Sequence, residues 1–281
     1  MTEIPLALQI SGFILLGLTV GAFGTLVGAG GGFLLTPVLL LLFPTMPPET
    51  VTAISMTTVF FNSASGSIAY ARMKRIDFKT GLIFALAVLP GSILGTWLTT
   101  QTPRALFNIL FGACMLLFAV VIIVRSRLGD HSADYDQPGR FRARRILTDR
   151  DGQKTAFSFN LGGGILISLG VGFLSGFLGI GGGIIHVPAL IFLGMPAHFA
   201  TATSHFVLVC SSLTSFLMHL TAGELANYAL MTLAIATSAV IGAQIGARIS
   251  TRVRGSWIMI LLAAALVLAG GRILITGILG I

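Results

Sequence analysis

The stretch "VGAGGGFLLTPVL", Val27 to Leu39, decides how this chain is read, because three consecutive glycines interrupt sequence apolar enough to be a membrane helix. It returns as "LGIGGGIIHVPAL", Leu178 to Leu190. Gly28, Gly30, Gly31, Gly32, Pro37 and Leu39 are matched by Gly179, Gly181, Gly182, Gly183, Pro188 and Leu190. A glycine inside a helix costs roughly 0.5–1 kcal/mol relative to alanine. A breaker set at the same point of both halves calls for a reason at the break itself.

Working outward, the register persists. Met46 and Pro47 return as Met195 and Pro196, and Thr52, Ala53 and Ser55 as Thr201, Ala202 and Ser204, at an offset of 149 residues. Gly91 and Gly95 return as Gly242 and Gly246 at the 151-residue offset of the glycine triplets. The chain therefore divides into a first transmembrane repeat over 1–125, a polar, basic linker over 126–156 and a second transmembrane repeat over 157–281. Glycine pairs at four-residue spacing suit close helix packing, which we prefer to a ligand role.

Composition names the solvent. Hydrophobic residues make up 55% and charged residues 9%, against roughly 25% charged in an average soluble domain. Apolar runs long enough to span about 30 Å of hydrocarbon occur at Leu6 to Val27, Thr50 to Ala71, Gly81 to Leu98 and Ala105 to Val124. The second half repeats them at Leu161 to Leu178, Ala200 to Leu220, Asn227 to Ala247 and Trp257 to Ile275. A shorter apolar piece follows each triplet, Phe33 to Phe43 and Ile184 to Leu193. The start, "MTEIP", lacks a basic n-region, so the first segment is expected to stay in the mature protein. Cys114 and Cys210 fall within spans and read as small apolar core residues. No metal site is expected.

The net charge of +8 does not point to nucleic acid, because the basic residues border spans. Arg72, Lys74, Arg75 and Lys79 form one cluster, the linker from Arg125 to Lys154 a second, and Arg248, Arg252 and Arg254 a third. The linker is expected to be a solvated loop. If each glycine-broken segment and its short successor re-enter, each half makes three crossings. The halves are then inverted repeats in an all-α polytopic membrane protein. This arrangement puts 15 of the 17 Lys and Arg on the cytoplasmic face, with Glu3, Glu49, Glu224 and Arg104 opposite. An eight-span alternative moves Arg248, Arg252 and Arg254 to the other side.

A helix broken within the membrane leaves N–H and C=O groups that only protein or a wet cavity can satisfy. The start of the following short helix offers free N–H groups and a favourable dipole to an anion. Other glycine chemistries fit badly. Neither copy has the Lys and Ser or Thr of a Walker A loop, and Phe33 and Ile184 stand where a dinucleotide fingerprint needs its third glycine. Every Asp and Glu can be placed in a loop or terminus, so no catalytic residue and no cofactor is expected, and the chain reads as a non-enzyme.

The doubled "GAGGGFLLTP" and "GIGGGIIHVP", the "TAIS" and "TATSH" segments and the later Gly-x-x-x-Gly helices resemble the sulfite exporter TauE/SafE family of bacterial membrane transporters. The resemblance implies movement of small sulfur-containing oxyanions, sulfite or short organosulfonates such as sulfoacetate, across the cytoplasmic (inner) membrane. An anion channel, or a transporter of another small substrate, is the alternative. The partners expected are a small anion and the lipid bilayer, with a homo-oligomer left open. His186 departs from the pattern, since the first repeat carries Leu35 there.

A sulfite or sulfonate wants hydrogen-bond donors without a nearby carboxylate. Besides the backbone of Gly30, Gly31, Gly32, Gly181, Gly182 and Gly183, the candidates are Thr52, Ser55, Asn62 and Ser63 in one repeat. The other contributes His186, Thr203, Ser204, His205, Ser211 and Ser212. A lone Ser or Thr more often bonds its own helix carbonyl. His205 is sharper, because an ionisable group within a span is a functional candidate by default. His198 and His219 sit near span ends and His131 in the linker, where solvent explains them. Arg272 snorkels to the headgroups.

Overall fold

The computed structural model describes residues 5–128, 142–150, 152–250 and 255–279. Five helices form the first half: α1 (Leu6–Val27), α2 (Gly32–Leu42), α3 (Pro48–Arg72), α4 (Phe78–Gln101) and α5 (Arg104–Leu128). A hairpin of β1 (Arg142–Thr148) and β2 (Lys154–Asn160) follows. The second half repeats the helix order as α6 (Leu161–Leu178), α7 (Gly183–Phe192), α8 (Ala197–Thr221), α9 (Ala229–Ile249) and α10 (Gly255–Leu279). Among the described residues, six stretches are long and apolar enough to cross a membrane: α1, α4, Arg104–Ile123 of α5, α6, α8 and Ala226–Ile249, which contains α9. The chain is a multi-pass, mostly helical membrane protein.

Local chemistry sets the boundaries. Pro47 and Pro196 precede α3 and α8 in extended conformation, which suits chain entry to a helix. Asp77 caps α4 by accepting from the Thr80 N–H at 3.2 Å, and Asn160 caps α6 by accepting from Gly163 at 2.9 Å. Both α1 and α6 stop at a left-handed glycine, Gly28 and Gly179.

The bundle is turned inside out relative to a soluble protein. Outer helices show leucines to the surroundings, as Leu166 does at 72% exposure. The two polar helices, α3 and α8, lie against each other at the centre. Thr52, Ser55, Thr58, Asn62 and Ser63 of α3, and Thr203, Ser204, His205, Ser211 and Ser212 of α8, are all fully buried. Hydrocarbon outside offers no penalty to exposed leucine, so the polar residues are the ones that must find partners inside.

Around that pair, α1 packs along α9 and α4 along α6. The glycine pairs make these contacts. A methyl at Gly91 or Gly95 would lie 2.2 or 2.1 Å from the Leu169 or Phe173 carbonyl oxygen of α6. One at Gly242 or Gly246 would lie 2.3 or 2.1 Å from that of Leu18 or Ala22 of α1.

The ends of the molecule differ in charge. At one end Arg145 of β1 meets Asp77 at 3.1 Å, and the Arg150 N–H donates to the Met73 carbonyl. Ala247, one residue before Arg248, packs there with Ala69, Tyr70 and Ile76. Described members of all three basic clusters thus gather at that end. At the other end Thr52 donates to the Glu49 carbonyl, and His219 pairs with Glu224. Glu3, His131, Arg140, Arg252 and Arg254 lie outside the described residues.

Two expectations change. The linker is not wholly a solvated loop: residues 142–160 carry an antiparallel hairpin, and Phe157 and Phe159 pack with Phe84 and Phe199. The alternation of Phe157 and Phe159 about Ser158 is the pattern that places them on one buried face. His219 is not solvated either, at 1% exposure, because α8 continues to Thr221 and the next turn brings Glu224 back onto it. Cys114 and Cys210 are half-buried and unpaired.

Candidate functional site

The two glycine loops have the same backbone. Gly28, Gly30 and Gly31 have φ of 82°, 74° and 87°, and Gly179, Gly181 and Gly182 have 68°, 79° and 67°. The left-handed conformation, which side chains rarely adopt, is needed at the same three positions of each copy. It turns the chain back on itself. The Asn160 N–H donates to the Leu193 carbonyl at 3.2 Å, so the start of α6 and the end of α7 lie at one end of the bundle. With 11 and 10 residues, α2 and α7 are about 15 Å long, half a membrane thickness.

The loops meet each other at the centre. A methyl at Gly32 would lie 2.6 Å from the Gly179 carbonyl oxygen, and one at Gly183 would lie 2.3 Å from that of Gly28. Neither α2 nor α7 has a side-chain cap at its start. Among the described residues the N–H groups of Gly32, Phe33 and Ile184 have no acceptor. The three glycines of each triplet face different neighbours. Gly31 backs onto Val20 of α1 and Gly182 onto Val171 of α6, whereas Gly30 and Gly181 face Val59 of α3.

Most of the predicted hydroxyls are committed to holding this arrangement. The Gly179 carbonyl accepts from Ser55 at 2.6 Å and from Thr36, which the sequence reading missed, at 2.8 Å. Thr52 donates to the Glu49 carbonyl, and Thr203 accepts from the Asp77 N–H. Ser211 and Ser212 return their hydroxyls to the Leu208 carbonyl of their own helix. His186 is a bridge: its Nε2 lies 3.0 Å from the Ser168 hydroxyl and its Nδ1 3.1 Å from that of Ser204, tying α6, α7 and α8 together.

Three predicted residues remain with unused capacity: Asn62 and Ser63 of α3, and His205 of α8, whose ring lies against Gly66 one turn further along α3. Asn62 accepts from Thr25 at 3.2 Å, but its Nδ2 is buried without a partner. Ser63 has a buried, unpartnered hydroxyl 3.1 Å from where a Gly30 methyl would sit. His205 is fully buried, and neither ring nitrogen makes a well-formed hydrogen bond, the Gly28 backbone being its polar neighbour in interaction range. Gly66 leaves room for its ring, and Tyr70, which donates to the Thr25 carbonyl at 2.8 Å, meets it edge-on at 5.6 Å. Thr25 thereby ties these residues to the last turn of α1, beside the first loop. A buried polar group without a partner costs about 1–3 kcal/mol, and these three lie on the facing stretches of α3 and α8.

A profile of the family described as sulfite exporter TauE/SafE matches residues 13–273. The chain belongs to this family. Among curated TauE/SafE-like relatives, the probable membrane transporter protein YunE of Bacillus subtilis is 31% identical over 94% of this chain and 97% of its own. A probable membrane transporter protein of Methanocaldococcus jannaschii is 28% identical over 92% of each. No solved structure matches. In this TauE/SafE chain the central residues that the sequence reading missed are Val59, Leu208, Thr25 and Thr36. The signal for the first two was available, since Val59 and Leu208 are separated by the 149-residue offset that relates Thr52 to Thr201.

Proposed function

We propose that this TauE/SafE transporter is a secondary carrier of small sulfur-containing oxyanions, sulfite or a short organosulfonate such as sulfoacetate. The single observation that carries the reading is the set of under-used polar groups where α3 faces α8, with Ser63 Oγ beside Gly30, Asn62 Nδ2 beside Thr25 and the His205 ring against Gly66. Such a set recognises an anion with several oxygens. Among the described residues no carboxylate lies in it, since Asp77 caps α4 and Asp149 accepts from Gln153 at the basic end, and Glu49 and Glu224 sit at the other.

In this reading α3–α5 and α8–α10 are the three crossings of each half, and the α1–α2 and α6–α7 pairs re-enter from opposite faces. Their loops meet at the midplane, with the uncapped starts of α2 and α7 adding N–H groups and positive dipole ends. Small shifts of one half against the other then open the anion to alternate faces. The basic end faces the cytoplasm, as basic loops generally do.

The test is a thermal-shift screen of the purified protein against sulfite, sulfate, sulfoacetate, taurine and thiosulfate. Stabilisation by a net-negative sulfur oxyanion, with none from zwitterionic taurine, supports the reading. Equal stabilisation by taurine, or a response to no member of the set, overturns it.

A further inference from the structure

Fifteen of the 17 basic residues belong to the three clusters, which leaves Arg104 and Arg272. These two meet. Arg104 opens α5, and Arg272 is the single charged residue of α10. The helices run antiparallel, with Gly277 beside Ile109 and Gly270 beside Met115. Both guanidinium groups line one recess of about 410 Å³, together with Asn108, Thr276 and the end of α2 at Leu40.

The recess has unused donors. Arg104 donates through Nη1 to the Met46 carbonyl and through Nη2 to that of Leu40 at 3.3 Å, while its Nε is buried without a partner. Asn108 is 7% exposed and its side-chain oxygen has no partner; a half-turn of the amide presents its NH2 group instead. Arg272 makes no hydrogen bond or ion pair among the described residues, and no carboxylate lines the recess. Glu49 is the acidic group in electrostatic range of Arg104. Arg272 is exposed at the mouth of the recess, and two guanidinium groups lining one recess without a carboxylate repel each other unless an anion joins them.

We propose that the Arg104–Arg272 recess is a second, peripheral oxyanion site that takes a phosphate-type group, separate from the central site. The group has two sources, the headgroup of an anionic lipid or a free anion. Thr276 and the amide of Asn108 supply neutral hydrogen bonds to the same group, and the apolar wall at Leu40 and Leu41 suits an acyl chain. The proposal does not depend on the substrate of the carrier.

The test uses the full chain in nanodiscs of pure phosphatidylcholine or phosphatidylcholine with phosphatidylglycerol, each with and without inorganic phosphate. Thermal stability and lipid retention in native mass spectrometry are read for wild type, Arg272→Gln and Asn108→Ala. Arg104 holds the end of α2, so it is left intact. The basic end also attracts phosphatidylglycerol, and the informative quantity is the difference between variant and wild type. Both variants are expected to weaken the response about tenfold in apparent affinity, the usual loss for one charge-assisted hydrogen bond. Loss confined to the phosphatidylglycerol arm assigns the site to a lipid headgroup, and loss in the phosphate arm assigns it to a free anion. Wild-type responses from both variants in both arms, or no response from wild type, overturn the proposal.

Discussion

Val59 of α3 and Leu208 of α8 occupy equivalent positions of the two repeats and close on the same glycine: a methyl at Gly30 would lie 2.9 Å from Val59 Cγ1 and 3.4 Å from Leu208 Cδ1. Val59 also faces Gly181, and Leu208 faces Gly183. Together they fill the crossing of the two loops, with the unpartnered donors to one side. Leu208→Ala is expected to cost about 2–5 kcal/mol of stability and to open a leak between the two sides. Proteoliposomes carrying it should pass anions without saturation, whereas wild type saturates; unchanged saturable flux would remove Leu208 from the barrier.

Gly30 and Gly31 of one triplet should fail in different ways. Gly30→Ala places a methyl against Val59 and Ser63 at a φ of 74°. It is expected to abolish anion binding, with a backbone cost of roughly 1 kcal/mol or more. Gly31→Ala instead drives a methyl to 2.7 Å from Val20 Cγ1, and Gly246→Ala drives one to 2.1 Å from the Ala22 carbonyl oxygen. Both should lower the apo melting temperature first and leave residual binding. Melting curves with and without ligand separate the classes, and a Gly30→Ala protein that binds normally would contradict the assignment.

The two buried histidines divide into opposite roles. His205→Ala removes a ring without a well-formed hydrogen bond and is expected to weaken anion binding at least about tenfold at small cost in stability. His186→Leu, the residue of the first repeat, strands the Ser168 and Ser204 hydroxyls and is expected to cost about 1–3 kcal/mol while binding persists. The reverse pattern, measured by thermal shift with and without ligand, would exchange the roles.

How much of this was legible follows from what each element depends on. The bounds of α1 and α6 were readable to the residue, because an apolar run ends at a glycine that must turn left-handed. The glycine triplets were legible as breaks, yet which glycine faces the centre was not, since that depends on how α1 and α6 pack behind Gly31 and Gly182. Among the hydroxyls, sequence identified a polar face on α3 and α8 but could not distinguish Ser55, bonded across to Gly179, from Ser63, bonded to nothing. Partner geometry decides that, and it arises between repeats more than a hundred residues apart. The hairpin was hidden by the charges around Phe157 and Phe159.

Membrane topology gives a separate check. A reporter before Thr2 and one after Ile281 should both lie outside, and a reporter at Pro138 in the cytoplasm. Accessibility labelling in intact cells reads all three, and a cytoplasmic C-terminus would contradict the inverted arrangement.

The most direct measurement is counterflow in proteoliposomes loaded with unlabelled sulfoacetate or sulfite, following entry of the labelled anion through wild type and Asn62→Ala. Asn62 is the donor whose one satisfied bond, to Thr25, holds it beside the first loop. The account predicts transient accumulation of label above equilibrium in wild type and its loss in Asn62→Ala, with the variant still folded. Single-channel currents, or counterflow undiminished in Asn62→Ala, would contradict a carrier that binds its anion at the junction of the two glycine loops.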